Sequence, residues 1–298
     1  MTDDLAIEVR DLRISYGEVE AVGGIGFSVR RGEVFAVLGP NGAGKTTTIE
    51  HLEGFRRRDG GEARVLGEDP ETAGTAWRGR LGVVLQESSV EAELTVREVV
   101  TLYAGYHARP LGVEEALGLA GLSDLGDRRG GRLSGGQQRR VDVALALVGD
   151  PELIFLDEPT TGFDPQARRT AWETIEGLRG LGKTIVLTTH YLEEAERLAD
   201  RIAVIAAGRI VAEGTPATLG ERDRAGSRIS FTPPPGAQVP GDWTAEGAQL
   251  VTSTPEPLRV LAELSAWGLA HGADLRDLQV RPPSLEDVYL RLVREPAT

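Results

Sequence analysis

The chain of 298 residues contains no cysteine, which excludes a disulfide framework, thiol catalysis and thiolate metal sites. The absence fits a reducing cytosol but does not by itself assign a compartment. Lysine is nearly missing too. Only Lys45 and Lys183 occur, in a chain otherwise supplied with arginine, so each lysine invites a reason. No apolar run approaches the roughly 20 residues that a membrane span needs. VDVALALVG at 141–149 is among the longest, and it suits a buried helix. The first residues, MTDDLAIEVR, lack the basic and apolar regions of a signal peptide, so a membrane role is expected only through a partner. Positive charge is also in deficit, with a formal net charge of −13 and a pI near 4.9. Duplex nucleic acid would repel such a surface, and no nucleic-acid partner is expected. The candidate basic patches are FRRR at 55–58 and the Arg139–Arg140 pair, short runs of a kind more often solvated or ion-paired. What remains, 40% hydrophobic and 27% charged residues, belongs to a globular protein long enough for more than one domain.

Along the chain, residues 5–39 read as strands and turns. AIEVRDLRISY alternates, and EVFAVLG is a continuous apolar run bounded by glycine and proline, the pattern of a buried strand. TTTIEHLEGF reads as a helix and RLGVVLQ as another buried strand. Between about 88 and 150 the pattern turns helical. Thr95 and Glu98 form a capping box at the start of TVREVVTLYAGYHA, and VEEALGLAGL follows. PELIFLDEP and KTIVLTTH are again buried strands, joined by a helix with Asp164 as N-cap and Pro165 at its first position. Strand, helix, strand in that order predicts a parallel sheet. A polar, turn-rich stretch at 220–227 marks a boundary. The expected division is 1–222 and 223–298, the second part being a small α+β domain of two strands, a helix, a strand and a helix beginning at Ser284.

Two stretches point to phosphate chemistry. GPNGAGKTT, 39–47, follows a strand, opens a helix and fits G-x-x-x-x-G-K-[ST] through Gly39, Gly44, Lys45 and Thr46. Glycines there let backbone N–H groups turn toward phosphates at a helix N-terminus. Lys45 can bridge β- and γ-phosphates, and the Thr46 hydroxyl can ligate Mg²⁺. LIFLDEP, 153–159, then ends a buried strand in Asp157 and Glu158, at the edge where open parallel sheets bind ligands. Asp157 is placed to hold the magnesium water shell and Glu158 to polarise an attacking water.

RLSGGQQRR, 132–140, is harder to place. Ser134 and Gln137 have capping-box spacing, but a cap needs no pair of glycines, which cost helix stability. Gly135 and Gly136 would let another group approach the backbone, making a second anion-binding helix start. The spacing leaves open whether the two phosphate-binding ends meet within one chain or across two.

LSGGQ at 133–137 resembles the signature of ATP-binding cassette (ABC) ATPases, and other elements agree in order: Tyr16 in ISYG, the Walker A loop at 39–46, Gln86 in VVLQE, Walker B with Asp157 and Glu158, TGFD at 161–164, and His190 in LTTH. The resemblance covers about 5–220. It implies an α/β P-loop NTPase with a β-rich N-terminal part and a helical insert, forming a head-to-tail homodimer that sandwiches two ATP molecules. It further implies that ATP and Mg²⁺ are contacted by Tyr16 on adenine, by Gly39, Pro40, Asn41, Gly42, Ala43, Gly44, Lys45, Thr46 and Thr47 on phosphate, and by Thr46, Gln86 and Asp157 around the metal. Catalysis would fall to Glu158, His190, Gln86 and Lys45. Ser134, Gly135, Gly136, Gln137 and Asp164 would act across the dimer. Two positions depart from the usual pattern: Phe163 where leucine is frequent, and Tyr191 where many relatives have aspartate. PPSLEDVYLRL at 282–292 resembles the tail of ABC-2-type and daunorubicin-resistance-type drug exporter ATPases, although Ser284 and Asp287 also simply cap an amphipathic helix. The expected role is the ATPase of an exporter, working at the cytoplasmic face of the cell membrane through a separate permease. An importer ATPase, or a soluble ABC ATPase acting on nucleic acid or ribosomes, are the alternatives.

Overall fold

The computed structural model describes residues 4–85, 90–221, 226–281 and 285–294. They divide into two compact units, the first reaching to Pro216 and the second starting at Ala217.

The first unit opens with β1 (Leu5–Tyr16), β2 (Val19–Arg30), β3 (Val34–Leu38), α1 (Lys45–Leu52), β4 (Gly60–Val65), α2 (Thr75–Arg78) and β5 (Leu81–Val84). The helical stretch holds α3 (Val96–Ala104), α4 (Val113–Leu119) and α5 (Gly135–Leu147). Strands and helices then alternate as β6 (Leu153–Asp157), α6 (Pro165–Gly180), β7 (Thr184–Thr189), α7 (Leu192–Leu198) and β8 (Arg201–Ala206), closed by β9 (Arg209–Gly214).

Its main sheet has the order β5-β6-β7-β3-β8-β9, parallel except for the antiparallel β8–β9 pair. Every residue of β3, β6 and β7 is buried, as strands covered on both faces require. The order places β3 beside β7, so the loop after β3 and the ends of β6 and β7 share one edge. A smaller antiparallel sheet, β2-β1-β4, shares a core with β3, where the rings of Phe27 and Phe35 stack at 5.2 Å. The helical stretch has its own core, built on Val96, Val99, Val100, Leu117, Leu122 and Val141. The Thr95–Glu98 capping box forms as the spacing predicts, with Glu98 N donating to Thr95 Oγ1 at 3.2 Å and Thr95 N donating to Glu98 Oε2 at 2.8 Å. The helix it opens ends earlier than its apolar pattern, at Ala104.

The second unit contains β10 (Ser227–Thr232), β11 (Thr244–Glu246), β12 (Gln249–Thr254), α8 (Pro257–His271), β13 (Arg276–Arg281) and α9 (Leu285–Arg294). Its antiparallel sheet runs β11-β12-β10-β13. The order adds one strand to the expected pattern: β11 is three residues long and fully exposed, so it carries no apolar periodicity to read. The division also falls upstream of 222. Leu219 is fully buried, in a short turn packed on α9, and so belongs to the second unit. Ser284 lies outside the described residues.

Candidate active site

The loop from Gly39 to Gly44 bends because two of its glycines take left-handed backbone, Gly42 at φ 78° and Gly44 at φ 100°. Close approach fixes two as well. A Cβ on Gly39 would lie 2.3 Å from the Ile205 carbonyl oxygen, and one on Gly44 would lie 2.4 Å from that of Ala21. Pro40 accepts from the Ala43 N–H at 3.2 Å, and Ala43 is buried. Asn41 and Gly42 remain exposed at the loop tip.

Lys45, only 4% exposed, donates to the carbonyls of Gly39 at 2.9 Å and Pro40 at 3.2 Å, and its Nζ lies 3.4 Å from Glu158 Oε1. The Thr46 hydroxyl donates to Asp157 Oδ2 at 3.2 Å, and Thr188 on β7 also donates to Asp157. Tyr16 is 47% exposed, its hydroxyl 3.3 Å from Thr47 Oγ1 and its ring under the Arg56 guanidinium at 4.4 Å. Tyr16, Asn41, Gly42, Lys45, Thr46 and Glu158 face a common cavity of about 360 Å³.

Glu158 sits at φ 46°, an uncommon backbone for a non-glycine residue. The Thr188 hydroxyl accepts from its N–H at 2.9 Å. The Thr161 hydroxyl donates to its Oε2 at 3.0 Å, and His190 Nδ1 lies 3.3 Å from the same oxygen. Burial pushes this carboxyl up, but the Thr161 hydrogen bond, the Lys45 charge and His190 together outweigh it and hold the group below its ordinary range. A carboxylate therefore stands ionised beside an ammonium and an imidazole. Thr46 and Asp157 add hard oxygen donors of the type that suits a magnesium ion. The ammonium and the glycine-lined turn at the start of α1 suit polyphosphate.

Ser134 caps α5 in the predicted way, accepting from Gln137 N at 3.3 Å while its own N–H donates to Gln137 Oε1 at 3.0 Å. Around Gly135 nothing lies within 4 Å of where a Cβ would stand, and for Gly136 only the Ala167 methyl does, at 3.3 Å. The two glycines are therefore not there for packing alone, since Gly135 faces open space. Asp164 caps α6, accepting from Gln166 N and Ala167 N at 2.9 and 2.8 Å. Ser134, Gly135, Gly136 and Asp164 line a second cavity, of about 680 Å³, which shares no lining residue with the first. Gln86, expected near the metal, lies outside the described residues.

Two residues at this edge went unread in the sequence. One is Thr188, whose hydroxyl serves both Asp157 and Glu158. The other is Arg139, which in the sequence is only half of a short basic pair. Its guanidinium is buried, donates to the carbonyl of Asp157 at 2.8 Å and also donates to that of Leu85. It thereby ties α5 to the ends of β5 and β6. Burial pulls its pKa below the usual guanidinium range. The remaining basic clusters are largely paired, Arg56 with Glu50, Arg58 with Asp69, and Arg140 with the Gly121 carbonyl.

Glu53, just past α1 and buried, is pushed up to about 8 by burial first and then by the negative charges of Asp157 and Glu50. A carboxyl raised above its ordinary 4.5 gives stability that is fully present below that value and is lost as pH rises through about 8. Thermal melts between about pH 5 and about pH 8 are expected to show a falling midpoint, and Glu53→Gln to flatten that fall. Parallel curves for the two proteins would show that Glu53 is not the group responsible.

The ABC transporter family profile matches residues 22–161. Nod factor export ATP-binding protein I of Burkholderia lata is 40% identical over 300 aligned residues, covering 96% of each chain. The protein of the same name from Paraburkholderia xenovorans is 42% identical, covering 97% of each. Among solved structures, the ADP conformation of an ATP-binding cassette of an ABC transporter is 28% identical with a TM-score of 0.63, over 71% of this chain and 91% of that one. A Clostridium perfringens protein, part of the ABC transporter complex cbiONQ, is 29% identical with a TM-score of 0.65, over 72% and 90%. With such likeness running along nearly its whole length, and a phosphate-type loop facing two acids at the sheet edge, the chain belongs to the ABC transporter family as an ATP-binding subunit that hydrolyses ATP.

Proposed function

We propose that the chain energises export through a separate membrane permease, as one of two copies that close head to tail around ATP. The observation that carries export is the 40–42% identity, over 96–97% of the chain, to proteins whose names specify export. The species in those names is a Nod factor rather than a drug, and cargo contacts would belong to the permease. No helix among the described residues is long and apolar enough to cross a membrane. In this reading the chain works at the cytoplasmic face through its partner, as the ATP-binding subunit of a transporter.

In this reading Tyr16 meets adenine, and Lys45 with the 39–47 backbone holds the phosphates. Thr46 and Asp157 would hold magnesium, with Gln86. Three such side chains are too few for a magnesium site of their own, so the phosphates would supply further ligands. The ion would neutralise charge on the transferred phosphoryl group. Glu158 orients and polarises the attacking water, and His190, on the same carboxylate, faces the γ-phosphate. Ser134, Gly135, Gly136, Gln137 and Asp164 would complete the site of the other copy. The two separate cavities support that division, since Tyr16, Lys45, Thr46 and Glu158 line one and Ser134, Gly135, Gly136 and Asp164 the other.

Co-expression with the multi-span membrane protein from a neighbouring reading frame tests the role. The two chains are expected to purify together, and the complex to hydrolyse ATP faster when its cargo is present. A tagged chain that brings down ribosomes or nucleic acid instead, and no membrane protein, would favour the soluble alternative. Uptake rather than efflux by vesicles carrying the complex would favour the importer.

A further inference from the structure

Consecutive residues of an extended chain point their side chains apart. His190 and Tyr191 do not: their ring centroids lie 4.1 Å apart at 41°. The backbone at this bend is held by the Tyr191 N–H, which donates to Thr189 Oγ1 at 2.9 Å. The Tyr191 ring has a second neighbour, the Arg168 guanidinium, 4.5 Å from its centroid. Arg168 Nε is buried and makes no hydrogen bond, so the ring face is what compensates its desolvation. Arg168 stands one turn into α6, its N–H donating to the carbonyl of Asp164 at 3.0 Å. Asp164 in turn lines the cavity of Ser134. His190, at the other end, has its buried Nδ1 3.3 Å from Glu158 Oε2, within ion-pair range though outside hydrogen-bond geometry.

We infer that Arg168 and Tyr191 are positioning residues for His190. Arg168 holds the tyrosine ring, the ring limits the rotation of the imidazole, and His190 is kept on the Glu158 carboxylate. The chain of contacts also joins the Asp164 end of α6 to the phosphate side of the sheet edge. A shift of that helix end when a second copy docks would therefore reach His190 without any change in the strands between. This rests on the reading of His190 as a γ-phosphate contact.

Steady-state ATPase measurements on the purified full chain test it. Tyr191→Leu and Arg168→Met are each expected to lower kcat about tenfold while the KM for ATP moves by less than about twofold, on the scale of one desolvated cation–π contact. Tyr191→Phe and Arg168→Lys keep the ring face and the cation, and are expected to retain roughly half the wild-type kcat or more. The double variant Tyr191→Leu with Arg168→Met should lose no more than either single one, because both break the same chain of contacts. Additive losses, or conservative variants as impaired as the disruptive ones, would overturn the proposal. If Tyr191→Leu fails to fold by circular dichroism, the Arg168→Met and Arg168→Lys pair carries the same test. His190→Ala separates the two levels. Wild-type turnover in that variant sinks the reading of His190 itself. A large loss there with an unchanged Tyr191→Leu and Arg168→Met sinks only the positioning.

Discussion

Replacing Glu158 by glutamine is expected to leave ATP binding intact and to slow turnover by roughly a hundred- to a thousandfold or more. The substitution keeps the shape of the side chain, and with it an acceptor for the Thr161 hydroxyl that now donates to Glu158 Oε2. It removes the charge. Lys45, 3.4 Å from Glu158 Oε1, would then have lost its carboxylate neighbour and should attract phosphate at least as strongly. The water-polarising group would be gone, because an amide is a poor base. Nucleotide affinity and single-turnover hydrolysis on the purified variant separate the two effects. Near wild-type hydrolysis would remove Glu158 from the catalytic role. A folded protein that no longer binds ATP would instead show that the carboxylate holds Lys45 in place.

The second large effect is a rescue. If Ser134 acts on the other copy, Lys45→Ala and Ser134→Arg spoil opposite halves of a composite site, and each homodimer has two spoiled sites. A mixed dimer has one doubly spoiled site and one intact. Mixing two nearly inactive proteins in equal amounts should then restore roughly a quarter of the wild-type rate, since random pairing makes about half the dimers mixed with one good site of two. Arginine is chosen for its bulk, because the space over Gly135 is open and a smaller side chain would block it less. Differently tagged chains must first be shown to pair in ATP. If they pair, and neither hydrolysis nor trapped ATP exceeds the sum of the separate variants, the trans assignment of Ser134 fails. A site completed within one chain gives no rescue at any ratio.

The parts of the site legible in the sequence are those whose chemistry is local to the chain. The turn at 39–47 needs its glycines for its own backbone. The Ser134–Gln137 cap spans a single helical turn. Asp157 and Glu158 announce themselves as charges ending an apolar run. What stayed hidden depends on neighbours chosen by the fold. Thr188 matters because β7 pairs with β6, which sets its hydroxyl against Asp157, and threonine at a strand end carries no such signal alone. Arg139 reads as a surface charge in the sequence because the groups that place it at the sheet edge include the main-chain carbonyls of Leu85 and Asp157, which no side-chain pattern marks. Glu194 is another: fully buried on α7, it accepts from Thr160 at 2.8 Å and Trp172 at 3.1 Å, joining segments after β6 and β7. In LEEAERL it reads as one more acid of a solvated helix. The short strand β11 escaped for the opposite reason, having no buried residue to show.

Gly135 opens α5 with nothing near the place of its missing side chain. Alanine there would favour the helix by up to about 1 kcal/mol. The single chain, folded alone, has no objection to that change. Its cost would fall on the second copy, at the moment the two meet around a nucleotide. A screen for heat-resistant variants of the isolated subunit would therefore enrich a substitution that a screen for growth would discard. On the proposed pairing of two copies, selection on the whole transporter and selection on the lone polypeptide would pull this one position in opposite directions.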